Sequence, residues 1–419
     1  MSTASPTTTP TTDPWFQDRF AERIGGAGYG KGTEVYKFEL IKRAKRQALA
    51  ENPERKMLDF GIGENDEMAP EGVRDVMRRE IDQPENRGYA DNGILEFKEA
   101  VASFMEREFQ VVLDPNKEIN HCIGSKTAYA MLPAAFINPG DVTLMTVPGY
   151  PVAGTATQWL GGEVYKIPLL PENNFFPDLD SIPSNILSRS KILVLCYPNS
   201  PTGKTATVEF YKKVVEFAKT NRIIVVQDAA HMMLSYETAP LSFLSIEGAK
   251  DVGVEVHSMS KGFHMIGWRL GWVCGHEKIV QAFADVKDNC DSGQFIAIQK
   301  AAAAALGDPH IPHQVREKYR RRLEKLVGVL RSVGFQCEMP GGTYFLYTKS
   351  PKAAGDQSFA NASEAGQFLI KELSISTVPW DDCGAFTRFS VTYEAHDETA
   401  ENELMADLHG RLLQAQLKF

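Results

Sequence analysis

The alternation of short β-rich runs with longer segments of helical period, between about residues 57 and 300, constrains the fold of this chain most. Parallel strands need a crossover of a dozen or more residues, which a helix usually supplies. The pattern therefore predicts an α/β fold whose mostly parallel central sheet is flanked by helices. Ligands collect at the carboxyl ends of strands in such sheets, so residues that follow strands are the first candidates for chemistry. We predict strands at 119–123, 142–147, 191–196, 222–227, 254–258 and 271–274, and a helix at 208–220.

The pattern changes after about residue 300, where long helices alternate with only two short strands. At 419 residues the chain exceeds what one hydrophobic core normally serves, so two domains are expected. Residues 2–12 are almost entirely Ser, Thr and Pro, a composition typical of disorder. We predict a disordered tail at 1–20, an N-terminal arm and part of the small domain at 21–56, a large domain at 57–300 and a small α+β domain at 301–419. The C-terminal region should contain helices at 299–306, 314–332, 362–372 and 397–414 and strands at 343–347 and 388–392.

Charge and composition exclude several classes of partner. The formal net charge is −9 and the pI is about 5.6, whereas a nucleic-acid-binding face requires clustered Lys and Arg. The basic stretch 316–322 has apolar residues at helical spacing, and we interpret it as a solvated helix face. No apolar run reaches the ~20 residues of a membrane helix, and the six cysteines form no CxxC pair. These features predict a cytoplasmic protein with reduced cysteines and small-molecule partners, without nucleic acid or membrane.

A lysine with nearby hydroxyls and an arginine directly follows one predicted strand. Ser258-Met259-Ser260-Lys261 ends the strand at 254–258, and Arg269 comes eight residues after the lysine. A desolvated lysine amine can form a Schiff base with an aldehyde, and an arginine fork binds phosphate in a bidentate way. A surface Ser-Lys loop after a strand is the alternative interpretation. The stretch therefore offers an amine and an anion site together.

Four other turns also follow predicted strands and carry polar groups. Asp228 could supply a functional carboxylate or only cap a helix, and Asn199 lies in a turn rich in Pro and Gly that needs no function. Gly124-Ser125-Lys126 begins a helix, and free N–H groups at a helix start bind anions. Tyr150 is either an ordinary turn tyrosine or an aromatic surface on which a ring could stack. These turns would lie together at one edge of the sheet.

The motif Ser-x-Ser-Lys261 followed by Gly-x-Arg269-x-Gly resembles the cofactor-lysine motif of fold-type I aminotransferases, which use pyridoxal 5′-phosphate (PLP). The resemblance extends from about residue 25 to the end. It implies the PLP-dependent transferase fold type I and a homodimer whose subunits share active sites. It also implies that Lys261 carries PLP as a Schiff base and moves the substrate Cα proton, in a ping-pong exchange between an amino acid and a 2-oxo acid.

The same resemblance implies a set of binding residues and no metal. Asp228 would face the ring nitrogen, Asn199 the phenolic oxygen, and Arg388 the substrate carboxylate, although a strand arginine could instead form an ion pair. The implied cofactor contacts are Tyr89, Ser125, Lys126, Tyr150, Asn199, Asp228, His231, Ser258, Ser260, Arg269 and Ser292. The implied substrate contacts are Tyr36, Ile62, Gly63, Asp91, Lys126, Asn199 and Arg388.

Segments 36–41, 61–70 and 291–293 are most similar to LL-diaminopimelate aminotransferases of lysine and cell-wall biosynthesis, with 2-oxoglutarate as the second substrate. Three departures concern recognition: His231 replaces a tyrosine, Ser292 replaces an asparagine, and loop 89–93 is shorter than the loop whose glutamate senses the distal ammonium. Asp91 could substitute for that glutamate. Alternatives are another class I/II aminotransferase (aspartate, alanine or N-succinyl-diaminopimelate type), a PLP lyase on the same fold, and a cofactor-dependent regulator.

Overall fold

Helices and strands alternate through the described residues of this computed structural model, which are 14–30 and 37–419. The helices are α1 Pro14–Gln17, α2 Lys37–Glu51, α3 Glu71–Glu80, α4 Leu95–Phe109, α5 Ser125–Phe136, α6 Val152–Trp159, α7 Ser184–Leu187, α8 Val208–Asn221, α9 Met259–Gly262, α10 Glu277–Lys287, α11 Ile296–Gly307, α12 His310–Ser332, α13 Ala362–Leu373 and α14 Glu398–Gln414. The strands are β1 Leu58–Asp59, β2 Ile119–Cys122, β3 Val142–Val147, β4 Glu163–Pro168, β5 Ser190–Cys196, β6 Ile224–Asp228, β7 Gly253–Ser258, β8 Gly271–Gly275, β9 Phe345–Lys349, β10 Ala353–Ala354, β11 Gln357–Ser358, β12 Ile375–Ser376, β13 Val378–Trp380, β14 Phe386–Ser390 and β15 Leu417–Lys418.

A seven-stranded sheet forms the centre of the first 300 residues, in the order β2-β8-β7-β6-β5-β3-β4. All neighbouring strands from β7 to β4 are parallel, whereas β8 runs antiparallel to both β7 and β2. The inner strands β7 and β8 are buried at every residue, because helices cover both faces. The predicted α/β fold is confirmed. The predicted strands match to within two residues, but the less buried edge strand β4 was not predicted.

A smaller sheet, β13-β14-β9, lies in the C-terminal region with helices α12, α13 and α14. Its hydrophobic core is separate from the cores of the large sheet and also contains Leu58, Phe60 and Leu234. Strands β9 and β14 are displaced by two residues from the predicted ranges, and α12 begins four residues earlier. The predicted boundary at residues 300 and 301 stays a prediction, because residues 44–419 form one compact unit.

The described residues 14–30 and 37–43 belong to a separate unit, and the boundary falls inside α2. In this unit the side-chain amide of Gln17 donates hydrogen bonds to the carbonyls of Ala27 and Tyr29, at 2.9 and 2.8 Å. The predicted disordered tail, 1–20, therefore overlaps helix α1. Residues 1–13 and 31–36 lie outside the described residues.

The interpretation of residues 316–322 as a solvated helix face is wrong at Arg322. This side chain is fully buried, and its guanidinium binds the carboxylates of Glu401 and Asp66 at 2.7 and 3.0 Å. Helical spacing puts Arg322 on the same side of α12 as Tyr319 and Leu326, which are also buried. No helix in the described ranges is long and apolar enough to cross a membrane. The cysteines are free thiols, and four of the six are buried.

Candidate active site

The predicted functional turns converge at one edge of the large sheet. Asn199, Asp228 and Lys261 lie at or just after the carboxyl ends of β5, β6 and β7, which are successive neighbours in the sheet. The start of α5 follows β2, and Arg269 directly precedes β8, whose antiparallel direction makes it begin at this same edge. Residues spread over nearly 150 positions of sequence therefore surround one site.

Lys261 is held in a desolvated position at the end of the one-turn helix α9. Its ammonium donates a hydrogen bond to the carbonyl of Gly63 at 2.8 Å and lies 5.5 Å from the centre of the Tyr344 ring. Burial lowers the pKa of Lys261 to about 8, and the positive charges of Arg388 and Arg269 act in the same direction. With this pKa about a tenth of the amine is neutral at pH 7, far more than for an ordinary lysine, and the neutral amine is the form that nucleophilic and base chemistry require.

Asp228 ends β6 beside a small cavity. Burial raises the pKa of its carboxyl group to about 6, against the opposing effect of a hydrogen bond from the Ala230 N–H. Tyr129, Tyr150 and Cys196 line the same cavity, and the Tyr129 and Tyr150 rings meet edge to face at 6.4 Å between centroids. The carboxylate and an aromatic surface thus face one space, as a flat, basic ring would require.

Two buried side chains keep a polar atom free at this site. Asn199 accepts hydrogen bonds on its amide oxygen from the N–H and hydroxyl of Thr202, so its amide nitrogen has no partner among the described residues. The Nδ1 atom of His231 is buried and likewise unpartnered within residues 37–419. Burial lowers the pKa of His231, so the ring is neutral, and it contacts Tyr344 at 5.3 Å between centroids. Unsatisfied buried polar atoms are costly, which favours a ligand that pairs with them.

The start of α5 and Arg269 form a cup suited to an anion. Helix α5 begins after Gly124 without a side-chain cap, so its first N–H groups are available. The Arg269 guanidinium packs directly on Gly124 and reaches the Ile266 carbonyl at 2.9 Å and the Ser260 hydroxyl at 3.5 Å. The Ser258 hydroxyl accepts a hydrogen bond from the Ser260 N–H and can still donate one. Ser125 opens the helix, whereas the Lys126 side chain is exposed.

Arg388 is buried in β14 with its charge uncompensated. Its guanidinium stacks over the Phe345 ring at 4.0 Å and donates to the Gly61 carbonyl at 3.1 Å, while its Nε has no partner in the described part of the chain. Burial lowers the pKa of Arg388 to about 10, and no carboxylate of the described residues offsets this. The ion-pair alternative is therefore wrong for these residues, and the geometry suits an incoming carboxylate.

A segment whose connecting role the sequence analysis did not predict joins these groups: residues 61–65, here called the bridging segment. The Gly61 carbonyl accepts from Arg388, the Ile62 carbonyl from Thr392 at 2.7 Å, and the Gly63 carbonyl from Lys261 and Tyr344. Of this segment, sequence comparison indicated only Ile62 and Gly63, and it did not indicate Tyr129 or Tyr344. Backbone acceptors leave no side-chain signature, so the roles of Gly61 and Gly63 could not be read from residue types.

Three other predicted residues point to solvent in a single subunit. Tyr89 has 86% of its surface exposed, and Asp91 and Ser292 are also exposed. The fully buried ammonium of Lys287 ties their two loops together, because it binds the Asp91 carbonyl and the Asp291 carboxylate. A fourth predicted residue, Tyr36, lies outside the described residues. The roles assigned to these side chains stay predictions.

The residues present fit PLP. The cup between α5 and Arg269 suits its phosphate, the free amide of Asn199 suits its phenolic oxygen, Asp228 suits its ring nitrogen, and Lys261 suits its aldehyde. The fit is carried by the unpartnered nitrogen of Asn199 and the uncapped start of α5.

Comparison with known proteins agrees with this geometry. Residues 55–407 match the family described as aminotransferase class I and II. The LL-diaminopimelate aminotransferase of Methanocaldococcus jannaschii is 56% identical over 387 residues, which cover 92% of this chain and 93% of that protein. The LL-diaminopimelate aminotransferase of Methanococcus maripaludis is 50% identical over 414 residues, which cover 97% of this chain and 100% of that protein.

Solved structures with the same fold are less similar in sequence. The substrate-bound BacF structure from Bacillus subtilis has a TM-score of 0.83 at 29% identity and covers 93% of this chain and 97% of its own. A probable N-succinyldiaminopimelate aminotransferase from Thermus thermophilus has a TM-score of 0.82 at 26% identity and covers 91% of this chain and 100% of its own.

Proposed function

The chain belongs to the aminotransferase class I and II family of PLP-dependent enzymes, and we propose that it exchanges the amino group of LL-diaminopimelate with 2-oxoglutarate. The reaction would serve lysine and cell-wall biosynthesis. The observation that carries the proposal is the desolvated amine of Lys261 at the carboxyl edge of the sheet. Near it lies the buried Arg388, which has no carboxylate partner among the described residues. Two relatives that cover over nine-tenths of the chain support the choice of substrate.

PLP, when bound, supplies an electron sink that makes the substrate Cα proton acidic. Lys261, with its pKa lowered to about 8 by burial, would take that proton on Nζ and then return it, acting first as the base and then as the acid. Asp228 would keep a negative charge beside the ring nitrogen, since its pKa of about 6 leaves it ionised at neutral pH. Both roles depend on pKa values that burial has moved closer to neutral pH.

Arg388 would bind the carboxylate that amino acid and 2-oxo acid share. A bound carboxylate would displace the Gly61 carbonyl and satisfy the buried Nε. The same group therefore recognises both half-reactions. Asp91 is our candidate for the distal ammonium, because its loop is fixed by Lys287 while its carboxylate is exposed.

We also propose that the protein is a cytoplasmic homodimer in which Tyr89 and Ser292 reach the cofactor phosphate of the neighbouring subunit. The exposure of 86% of Tyr89 is what this role requires, since the side chain is then accessible to a second subunit. Both loops are held rigidly by Lys287, as residues that reach into another subunit would need to be.

The test is an assay of purified protein, loaded with PLP, against 2-oxoglutarate. LL-diaminopimelate, meso-diaminopimelate, N-succinyl-LL-diaminopimelate, aspartate and alanine are offered in turn, and glutamate formation is measured. We expect LL-diaminopimelate to give the highest kcat/KM. A higher value with aspartate, alanine or the succinylated compound would contradict the substrate assignment but leave amino transfer intact.

Lys261→Ala is the matched test of the chemistry. The variant should lose turnover and also the visible absorbance of the lysine-bound cofactor, near ~420 nm. In the wild type that band should bleach with amino acid and return with a 2-oxo acid. A PLP lyase would release its product without this return, and an active Lys261→Ala enzyme would remove the proposed mechanism.

A further inference from the structure

The carbonyl of Lys261 is held by a side chain from the bridging segment. The amide nitrogen of Asn65 donates to the Lys261 carbonyl at 2.9 Å and lies 3.2 Å from Nδ1 of His264. Helix α9 ends at Gly262, so this carbonyl has no acceptor role inside the helix. A residue almost 200 positions away in sequence thus caps the turn that carries the reactive lysine.

The hydrogen-bond geometry fixes both side chains in one arrangement. An amide nitrogen has two hydrogens and can only donate, so Nδ1 of His264 must be the unprotonated acceptor. Rotation of the Asn65 amide would turn its oxygen toward the Lys261 carbonyl, where two acceptors repel. The Asn65 oxygen is buried without a partner in residues 37–419, so it gives no reason for the other orientation.

His264 is itself held in place by the C-terminal region. Its backbone is left-handed, with φ at 54°, and only 4% of its surface is exposed. The ring packs against Tyr319 at 6.0 Å between centroids, and its Nε2 faces Glu67 at 3.8 Å. Burial lowers the pKa of His264 to about 4, as do Lys318 and Arg322, against the opposing charges of Glu67 and Asp66. The neutral ring is therefore the state present at neutral pH.

We propose that Asn65 and His264 form a positioning pair that sets the orientation of Lys261 for proton transfer. His264 fixes the Asn65 amide, and Asn65 fixes the backbone of Lys261, whose side chain is at the same time held by Gly63. Within the described residues neither side chain forms a hydrogen bond or ion pair with Arg388, so the pair acts on the lysine and leaves carboxylate binding unchanged. The inference rests on the proposed role of Lys261.

The test compares four single variants. Each kcat is expressed per molecule of bound cofactor, whose amount is measured from the visible absorbance. Asn65→Ala and His264→Gly should lower kcat about tenfold, as expected for one lost hydrogen bond, and leave KM for 2-oxoglutarate within about twofold. Glycine, like asparagine, accepts the left-handed backbone at this position. His264→Asn should keep kcat within about twofold of the wild type, because its amide oxygen can take the place of Nδ1. Asn221→Ala is the control, since Asn221 donates to the Phe217 carbonyl at the end of α8.

The double variant separates this role from a general loss of structure. Since His264 acts through Asn65, adding His264→Gly to Asn65→Ala should cause no further loss of kcat. A kcat of Asn65→Ala within about twofold of the wild type, equal losses in His264→Asn and His264→Gly, or multiplied losses in the double variant would each overturn the proposal. If Asn65→Ala does not fold, the two His264 variants decide. Turnover by Lys261→Ala would instead contradict the proposed function itself.

Discussion

At the scale of single residues, the burial of Lys261 works against the stability of the cofactor-free protein. Its pKa falls to about 8 from an ordinary value of 10.5, and one pKa unit corresponds to ~1.4 kcal/mol. Lys261→Met should therefore raise the free energy of unfolding at pH 7 by up to about 3 kcal/mol, less the lost hydrogen bond to Gly63. Thermal unfolding of both cofactor-free proteins measures this difference.

The sign of the pH dependence follows from the same pKa. Between pH 8 and pH 10.5 the unfolded chain keeps a proton that folded Lys261 releases, so the stability of the wild type rises with pH across this window. The variant lacks this contribution. The gap between the two melting temperatures should thus narrow from pH 8 upward, and equal melting temperatures at pH 7 would contradict a buried ammonium.

Arg388 should control substrate affinity more than turnover. Arg388→Ala removes a charge-assisted, bidentate partner worth ~3 kcal/mol, so KM for 2-oxoglutarate and for the amino acid should rise by about two orders of magnitude. Arg388→Lys should recover only part of this, because an ammonium cannot form the paired bonds. Steady-state kinetics with both substrates tests the prediction, and an unchanged KM for either one would refute the shared site.

Sequence reasoning at this scale predicted the placement, though not yet the roles, of residues whose type is tied to a chemistry. Lys261, Asp228 and Arg269 were indicated by strand ends and a motif, and the structure brings them to one edge. It failed for Arg322, because helical spacing does not reveal that Asp66 and Glu401 come from distant segments to neutralise it. It also missed Asn65 and His264, whose contact depends on the fold between them.

At the scale of elements, the start of α5 should be intolerant of a side chain. Gly124 has φ at 74°, and a methyl group there would overlap the Arg269 guanidinium. Gly124→Ala should therefore weaken PLP binding, by about tenfold or more if the arginine is displaced. Reconstitution of cofactor-free protein, followed by absorbance, measures this. Gly140→Ala is the control, since it also has positive φ but open space around it; equal losses in both would contradict the cup.

The pairing of α12 with α14 depends on one buried carboxylate. Glu401 is 2% exposed and binds Arg321, Arg322 and Lys325. Burial raises its pKa, but these hydrogen bonds lower it to about 2, so its contribution is present above pH 4.5 and is lost as the pH falls toward 2. Glu401→Gln should cost about 3 kcal/mol, since it removes one of the two carboxylates that neutralise the buried Arg322 and leaves only Asp66.

Denaturant unfolding of Glu401→Gln measures that cost. Glu71→Gln is the matched control, because Glu71 also pairs with two arginines but on an exposed face of α3. It should leave the transition unchanged. Similar losses in the two variants would show that burial does not set the strength of the Glu401 contacts.

Element types were predictable because buried parallel strands and amphipathic helices have different periods. The antiparallel direction of β8 was not predictable from its composition, since β8 is as buried as β7, which pairs with β6 in parallel. The predicted ends of β9 and β14 are wrong by two residues, because these ends are set by the pairing of the two strands with each other and with the backbone of residue 60. Direction and register are properties of contacts between distant segments.

At the scale of the whole molecule, the proposed dimer can be tested by complementation. Lys261→Ala and Tyr89→Ala each damage both sites of their own dimer. If the sites are shared, a mixed dimer carries both substitutions in one site, and its other site is intact. Refolded equal mixtures should then recover about a quarter of the wild-type activity, since half of the dimers are mixed. Activity no higher than the average of the two separate variants would mean that Tyr89 serves its own subunit.

The antiparallel step between β7 and β8 has a consequence for motion. Ser258 and Gly271 are register partners, so Lys261 and Arg269 belong to one uninterrupted stretch, residues 259–270, pinned at both ends to the same pair of strands. We therefore expect the distance between Lys261, the covalent attachment point, and Arg269, the phosphate ligand, to stay constant when a substrate binds.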